Sequence, residues 1–142
     1  MALAADVVLP ILEGAYADHA VAGSTKIYEG AVVSITAAGY AKGYAGGDTL
    51  FAGFADRQAD NSAGANGAIK VRVRRDVHFR QVTLSGAVQA DVGDAIYAND
   101  DGTFTKDATF FVDPDTFNNL EIGKIHALVG PNTVIVRVAP NV

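Results

Sequence analysis

A chain of 142 residues with net charge −5 is long enough to bury one sizeable core and too short for two full domains. Hydrophobic residues at 49% against 19% charged exclude a disordered chain, and the acidic balance argues against broad nucleic-acid binding, which needs lysine and arginine to neutralise phosphates. Cysteine is absent, so disulfides, thiolate metal sites and thiol nucleophiles are excluded.

In chain order, the first segment, Met1 to about Ser24, lacks a basic start, and its apolar run is interrupted by Asp6 and Pro10, so no signal peptide is expected. Its residues Val7, Val8, Leu9, Ile11 and Leu12 form an extended run without helical periodicity, and residues 1–24 are read as an arm. A single β domain is expected over residues 25–142. Its first strands are predicted at Ala31 to Thr36 and Thr49 to Asp56, separated by the turn formers Ala38-Gly39 and Gly46-Gly47-Asp48. Asp60 to Gly67 (DNSAGANG) has the composition of an exposed flexible loop.

The strongest periodic signal follows. Ile69, Val71 and Val73 alternate with Lys70, Arg72 and Arg74, which predicts a half-buried strand with one core face and one cationic face. The pattern resumes at Val77 and Phe79 and then changes phase to Val82 and Leu84, as a bulge or bend would require. Ala95 to Ala98 and Phe104 to Thr105 flank Asn99-Asp100-Asp101-Gly102-Thr103 and predict a hairpin. Thr116 to Leu120 is compatible with one short helical turn. Ile122 to Leu128 and Thr133 to Val138 complete the strands, joined through Gly130-Pro131-Asn132. Short strands at this turn spacing predict an all-β fold, a small antiparallel β-barrel or β-sandwich with tight hairpins. No run approaches the roughly 18 uncharged apolar residues of a membrane span, so a soluble protein is expected.

Charge is segregated along the chain. Lys70, Arg72, Arg74, Arg75 and Arg80 are offset locally only by Asp76. Asp91, Asp94, Asp100, Asp101, Asp107, Asp113, Asp115 and Glu121 face a single basic residue, Lys106. The cationic strand reads either as a solubilising outer face or as a docking face for acidic protein surface; nucleic acid is disfavoured because no aromatics interleave to stack bases.

Catalytic chemistry finds little footing. His19, His78 and His126 stand in no metal-binding spacing, and Ser24, Ser34, Ser62 and Ser85 lie in no nucleophile elbow. Gly43, Gly46 and Gly47 precede a strand, where a phosphate loop would open a helix. The Asp100 fragment has oxygen ligands suited to calcium but lacks an EF-hand's spacing and closing glutamate, so a turn is expected there. No catalytic residue, metal ligand or cofactor is assigned.

The order of motifs resembles the head-decoration, or capsid cement, proteins of tailed bacteriophages. The resemblance is carried by Glu29-Gly30-Ala31-Val32-Val33, by Gly47-Asp48-Thr49-Leu50-Phe51-Ala52-Gly53-Phe54-Ala55, and by the run from Val92-Gly93-Asp94 to Phe104-Thr105. Ile122-Gly123-Lys124-Ile125 and Val134-Ile135-Val136-Arg137-Val138 close it, so that it covers most of the chain from residue 26. It implies a non-catalytic structural protein on the outer surface of the virion, binding the major capsid protein, commonly as homotrimers, and reinforcing the shell. No nucleic acid, membrane or small-molecule substrate is implied. The arm and the Thr109 to Leu120 segment, with Phe110, Phe111 and Phe117, lie outside the shared pattern.

The expected partner-binding residues are Val7, Val8, Leu9, Ile11 and Leu12 in the arm and Lys70, Arg72 and Arg74 on the strand. Burying the arm's apolar side chains would contribute roughly 1.5–3 kcal/mol each, against about 1–2 kcal/mol per backbone residue ordered. One arm would therefore bind poorly, whereas three on one trimer would act at high effective concentration. Two other readings are a phage tail-tube, neck or adaptor component, and a carbohydrate-binding β-sandwich using Tyr40, Tyr44 and Phe51 as a stacking platform, although core packing is the simpler use of those aromatics.

Overall fold

The computed structural model describes residues 14–112 and 114–142. It is all-β, with one short 3-10 turn at Gln89–Asp91. In chain order the strands are β1 (Tyr16–Ala20), β2 (Thr25–Ile27), β3 (Val32–Ile35), β4 (Ala41–Gly43), β5 (Leu50–Phe54), β6 (Ala59–Asn61) and β7 (Lys70–Arg74). They continue as β8 (His78–Thr83), β9 (Ala95–Ala98), β10 (Phe104–Thr105), β11 (Thr109–Val112), β12 (Asp115–Asn118), β13 (Leu120–Gly130) and β14 (Thr133–Val138). All the strand pairings are antiparallel.

The sheets are small: β4-β3-β5, β1-β7, β2-β6, the hairpin β11-β12, and one five-stranded sheet in the order β10-β9-β13-β14-β8. The β3–β5 pair lies between two cores, because it is apolar on both faces. Val32, Phe51 and Phe54 pack with Ile96, Ile122, Val134, Val136 and Val138 of the five-stranded sheet. Val33, Ile35, Ala52 and Ala55 pack on the other side with Val21, Ile27, Val71 and Val73. The arrangement is a set of small sandwich-like sheets, and no barrel closes among the described residues. Asn141 ties the last residues to the central sheet: its backbone N–H donates to the Phe51 carbonyl at 3.0 Å, and its side-chain oxygen accepts from the Phe51 N–H at 2.6 Å.

Several local expectations are revised. Tyr16–Ala20 pairs residue for residue with Lys70–Arg74, so the end of the expected arm is a strand of the β fold. Residues 1–13, which hold Val7, Val8, Leu9, Ile11 and Leu12, lie outside the described residues. Strand β8 has no phase change: it pairs with β14 in unbroken register from Val138↔His78 to Thr133↔Thr83. Val77 and Phe79 are consequently exposed, while Val82 and Leu84 are buried. The Thr116 to Leu120 stretch is not helical, since Asp115–Asn118 pairs with Thr109–Val112.

The loop after β6 is more tightly held than its composition suggests. The Asn61 amide is buried and donates to the carbonyls of Ala22 at 3.0 Å and Ala65 at 2.9 Å, and the Asn66 side chain accepts from the Gly23 N–H at 2.7 Å.

Candidate functional site

The β1–β7 ribbon carries the predicted cationic face. Along β7, Val71 and Val73 are buried while Lys70 and Arg72 are exposed and Arg74 is half-buried, which is the alternation expected of a strand with one face on the core. Lys70, Arg72 and Arg74 therefore share the outward side. Directly opposite, in register, stand Ala20, Asp18 and Tyr16 of β1. The ribbon is held to the body by Val71 and Val73 within, and by the Ala55↔Val73 bridge to the chain beyond β5.

The charges are unequally compensated. Arg72 reaches Asp18 at 3.4 Å across the ribbon, and Arg74 Nε donates to Asp76 at 2.8 Å. That hydrogen bond holds the Asp76 carboxyl below the usual carboxylate range and raises the pKa of Arg74. Both guanidinium groups lie 5.9 Å from the centroid of the Tyr16 ring, within cation–π range. Lys70 and Arg75 are exposed, and neither has a carboxylate within ion-pair distance among the described residues. Positive charge is left facing solvent.

Arg80, the fifth cation of that stretch, does not join the face. It is half-buried on β8, where its guanidinium lies 4.3 Å from the centroid of Phe54, and burial lowers its pKa. Tyr16 and Asp18 are the members that the sequence reading missed. Their signal was the alternation in Tyr16-Ala17-Asp18-His19-Ala20, in which Tyr16, Asp18 and Ala20 stand on the side of the cations.

Other candidates resolve into structural roles. Tyr44 and Phe51 are fully buried, which removes them from any carbohydrate-stacking platform. The Asp100 carboxylate accepts from the N–H groups of Gly102 and Thr103, each at 2.8 Å, closing the β9–β10 turn. Gly46 and Gly47 have positive φ in the turn before β5. His19 is half-buried on the inner side of β1, and burial lowers its pKa; His78 shares a hydrogen bond with the Asp76 carbonyl at 2.8 Å; His126 packs on Phe79. The arm residues of the predicted binding set lie outside the described residues, so the structure brings together only Lys70, Arg72 and Arg74.

Comparison with family models, with curated proteins and with solved structures gives no match to this chain.

Proposed function

We propose that this chain is a non-catalytic structural protein that attaches to the outer surface of a tailed-phage capsid, as trimers, and reinforces the shell. The observation that carries the reading is the outward face of the β1–β7 ribbon, where Lys70 has no carboxylate within ion-pair distance among the described residues and Arg72 and Arg74 are arrayed beside it. An outward-facing cationic surface of this kind suits an acidic protein surface rather than a small molecule, which calls for a concave site. The sequence resemblance supports the same role, with the major capsid protein as partner.

The test is co-sedimentation of the purified full chain with undecorated tailed-phage shells over a range of salt. The full chain is expected to pellet with shells, less so as salt rises, because exposed charges are screened. Replacing Lys70, Arg72 and Arg74 together by Gln should weaken attachment and flatten its salt dependence, while the circular dichroism spectrum stays that of the parent. Attachment unchanged across salt would make these cations a solubilising face, and no co-sedimentation with any shell would end the capsid reading.

A further inference from the structure

Strand β8 closes one side of the five-stranded sheet, and its outer edge is free. It pairs with β14 in unbroken register over all six of its residues and with no other strand among the described residues. No further main-chain hydrogen bond within the described chain reaches His78–Thr83. Alternate N–H and C=O groups along that edge therefore lack a main-chain partner, and such a row is a template for another strand. Natural edges are commonly blunted by lysine, proline or a bulge. This strand has none of the three.

What β8 carries instead is an arginine pointing inward. Arg80 alternates with His78 and Val82 on the core side and lies over the Phe54 ring. No carboxylate stands within ion-pair distance of it among the described residues. A half-buried cation is thus left without a counter-ion, having lost part of its hydration. On the solvent side of the same strand Phe79 is 58% exposed. Next to it in register come Arg137 on β14 and then Lys124 on β13, both exposed and both without a carboxylate at ion-pair distance among the described residues. Like charges that stand directly opposite repel each other. Positive charge lies on both sides of the free edge, and the solvent side adds apolar surface.

We infer that the free edge of β8 takes an extended acidic segment of the shell protein as an added strand, with a carboxylate of that segment against Arg80. Main-chain hydrogen bonds along the edge supply affinity, and the side chains that alternate along it supply selectivity. Arg80 does the selecting. An uncharged strand would cover it without pairing it, and the β8 of a second copy would set Arg80 against or close to another Arg80. The charge of Arg74 acts on Arg80, so the edge adjoins the ribbon already proposed to face the shell. The inference rests on the capsid reading for the source of the segment alone.

Hydrogen exchange of the full chain, free and on undecorated tailed-phage shells, tests the contact. The amides of residues 78–83 are expected to exchange at least about tenfold more slowly on shells. Arg80→Glu should weaken attachment at least about tenfold and abolish that protection. Because Arg80 packs on Phe54, Arg80→Gln is made beside it and decides the matter if the charge reversal fails to fold. A probe independent of shells is a decapeptide of alternating valine and glutamate, which should shift the amide resonances of Phe79 to Thr83, whereas its valine-lysine counterpart should not.

Shells that bind the chain without slowing these amides would overturn the contact and leave the capsid reading standing. A valine-lysine peptide that binds as well as the acidic one, or Arg80→Gln that binds shells like the parent, would overturn the role of Arg80. Amides that slow with rising protein concentration in the absence of shells would make a second copy the occupant. Amides already slow in the free chain and released by deleting residues 1–13 would make the arm the occupant, and either result overturns the contact. Binding of the acidic peptide at β8, lost in Arg80→Gln, with no attachment to any shell, would uphold the acidic strand and end the capsid reading.

Discussion

Gly53 sits where the ribbon comes closest to the central sheet. Its φ is +132°, and a Cβ built there would overlap the Arg74 carbonyl oxygen. A register shift on β5 beside it lets Phe51 and Phe54, three residues apart, both enter the core under the five-stranded sheet. Gly53→Ala combines backbone strain with overlap against main chain, so urea denaturation should show a loss of about 2–5 kcal/mol. A glycine inside an apolar run signals a bulge or a close approach, but the approaching backbone, β7, follows only from how the sheets stack. Arg80 stands apart from the other cations of its stretch for a similar reason: the ring of Phe54 against its guanidinium is a tertiary fact that local sequence does not carry.

At the scale of elements, legibility tracked the cleanness of alternation. β7 and β14 were readable because every second residue is apolar and the residues between are polar or outward-facing. β8 was not, because its apolar residues fall on both faces: Val82 is buried beneath the sheet and Phe79 is exposed above it, and pairing with β14 fixed the choice. The β11–β12 hairpin was missed because its strands are short, its residues are largely exposed, and no core-facing pattern marks it.

The 3-10 turn at Gln89–Asp91 was equally silent in the sequence. It is held by Asp91, whose carboxylate accepts from the Val88 N–H at 2.8 Å and from Lys106 at 3.0 Å. The backbone bond first, and Lys106 second, lower the Asp91 pKa from its ordinary 3.8. A lowered folded-state value means that the charged form stabilises the fold. The contribution is fully present above pH 3.8 and is lost as pH falls through the lowered value. Asp91→Asn should therefore lower Tm at pH 7, and thermal melts at decreasing pH should show the gap to the parent closing below about pH 4.

For the molecule as a whole, the decisive question is where the body ends and the expected arm begins. From sequence that boundary falls near Ser24, because the segment before it precedes the first secure strand and has no obvious hairpin partner. Its partner lies 54 residues further along, where Asp18 faces Arg72, and no local signal reveals a pairing at that separation. Two truncations now separate the possibilities. Among the described residues, every buried member of the two cores lies at or beyond Val21, so removing residues 1–13 should leave both cores and the β1–β7 ladder intact. That truncation is expected to melt close to the parent while losing shell attachment, through Val7, Val8, Leu9, Ile11 and Leu12. Removing residues 1–20 also deletes β1, which strips β7 of its ladder partner and uncovers Val71 and Val73. Exposing those two buried side chains alone costs roughly 3–6 kcal/mol, a large part of a small domain's stability. Its melt should therefore be much lower or lose cooperativity. A shorter truncation that binds shells like the parent would remove the arm from the attachment site, and a longer truncation that melts like the parent would show that β1 contributes little to the fold.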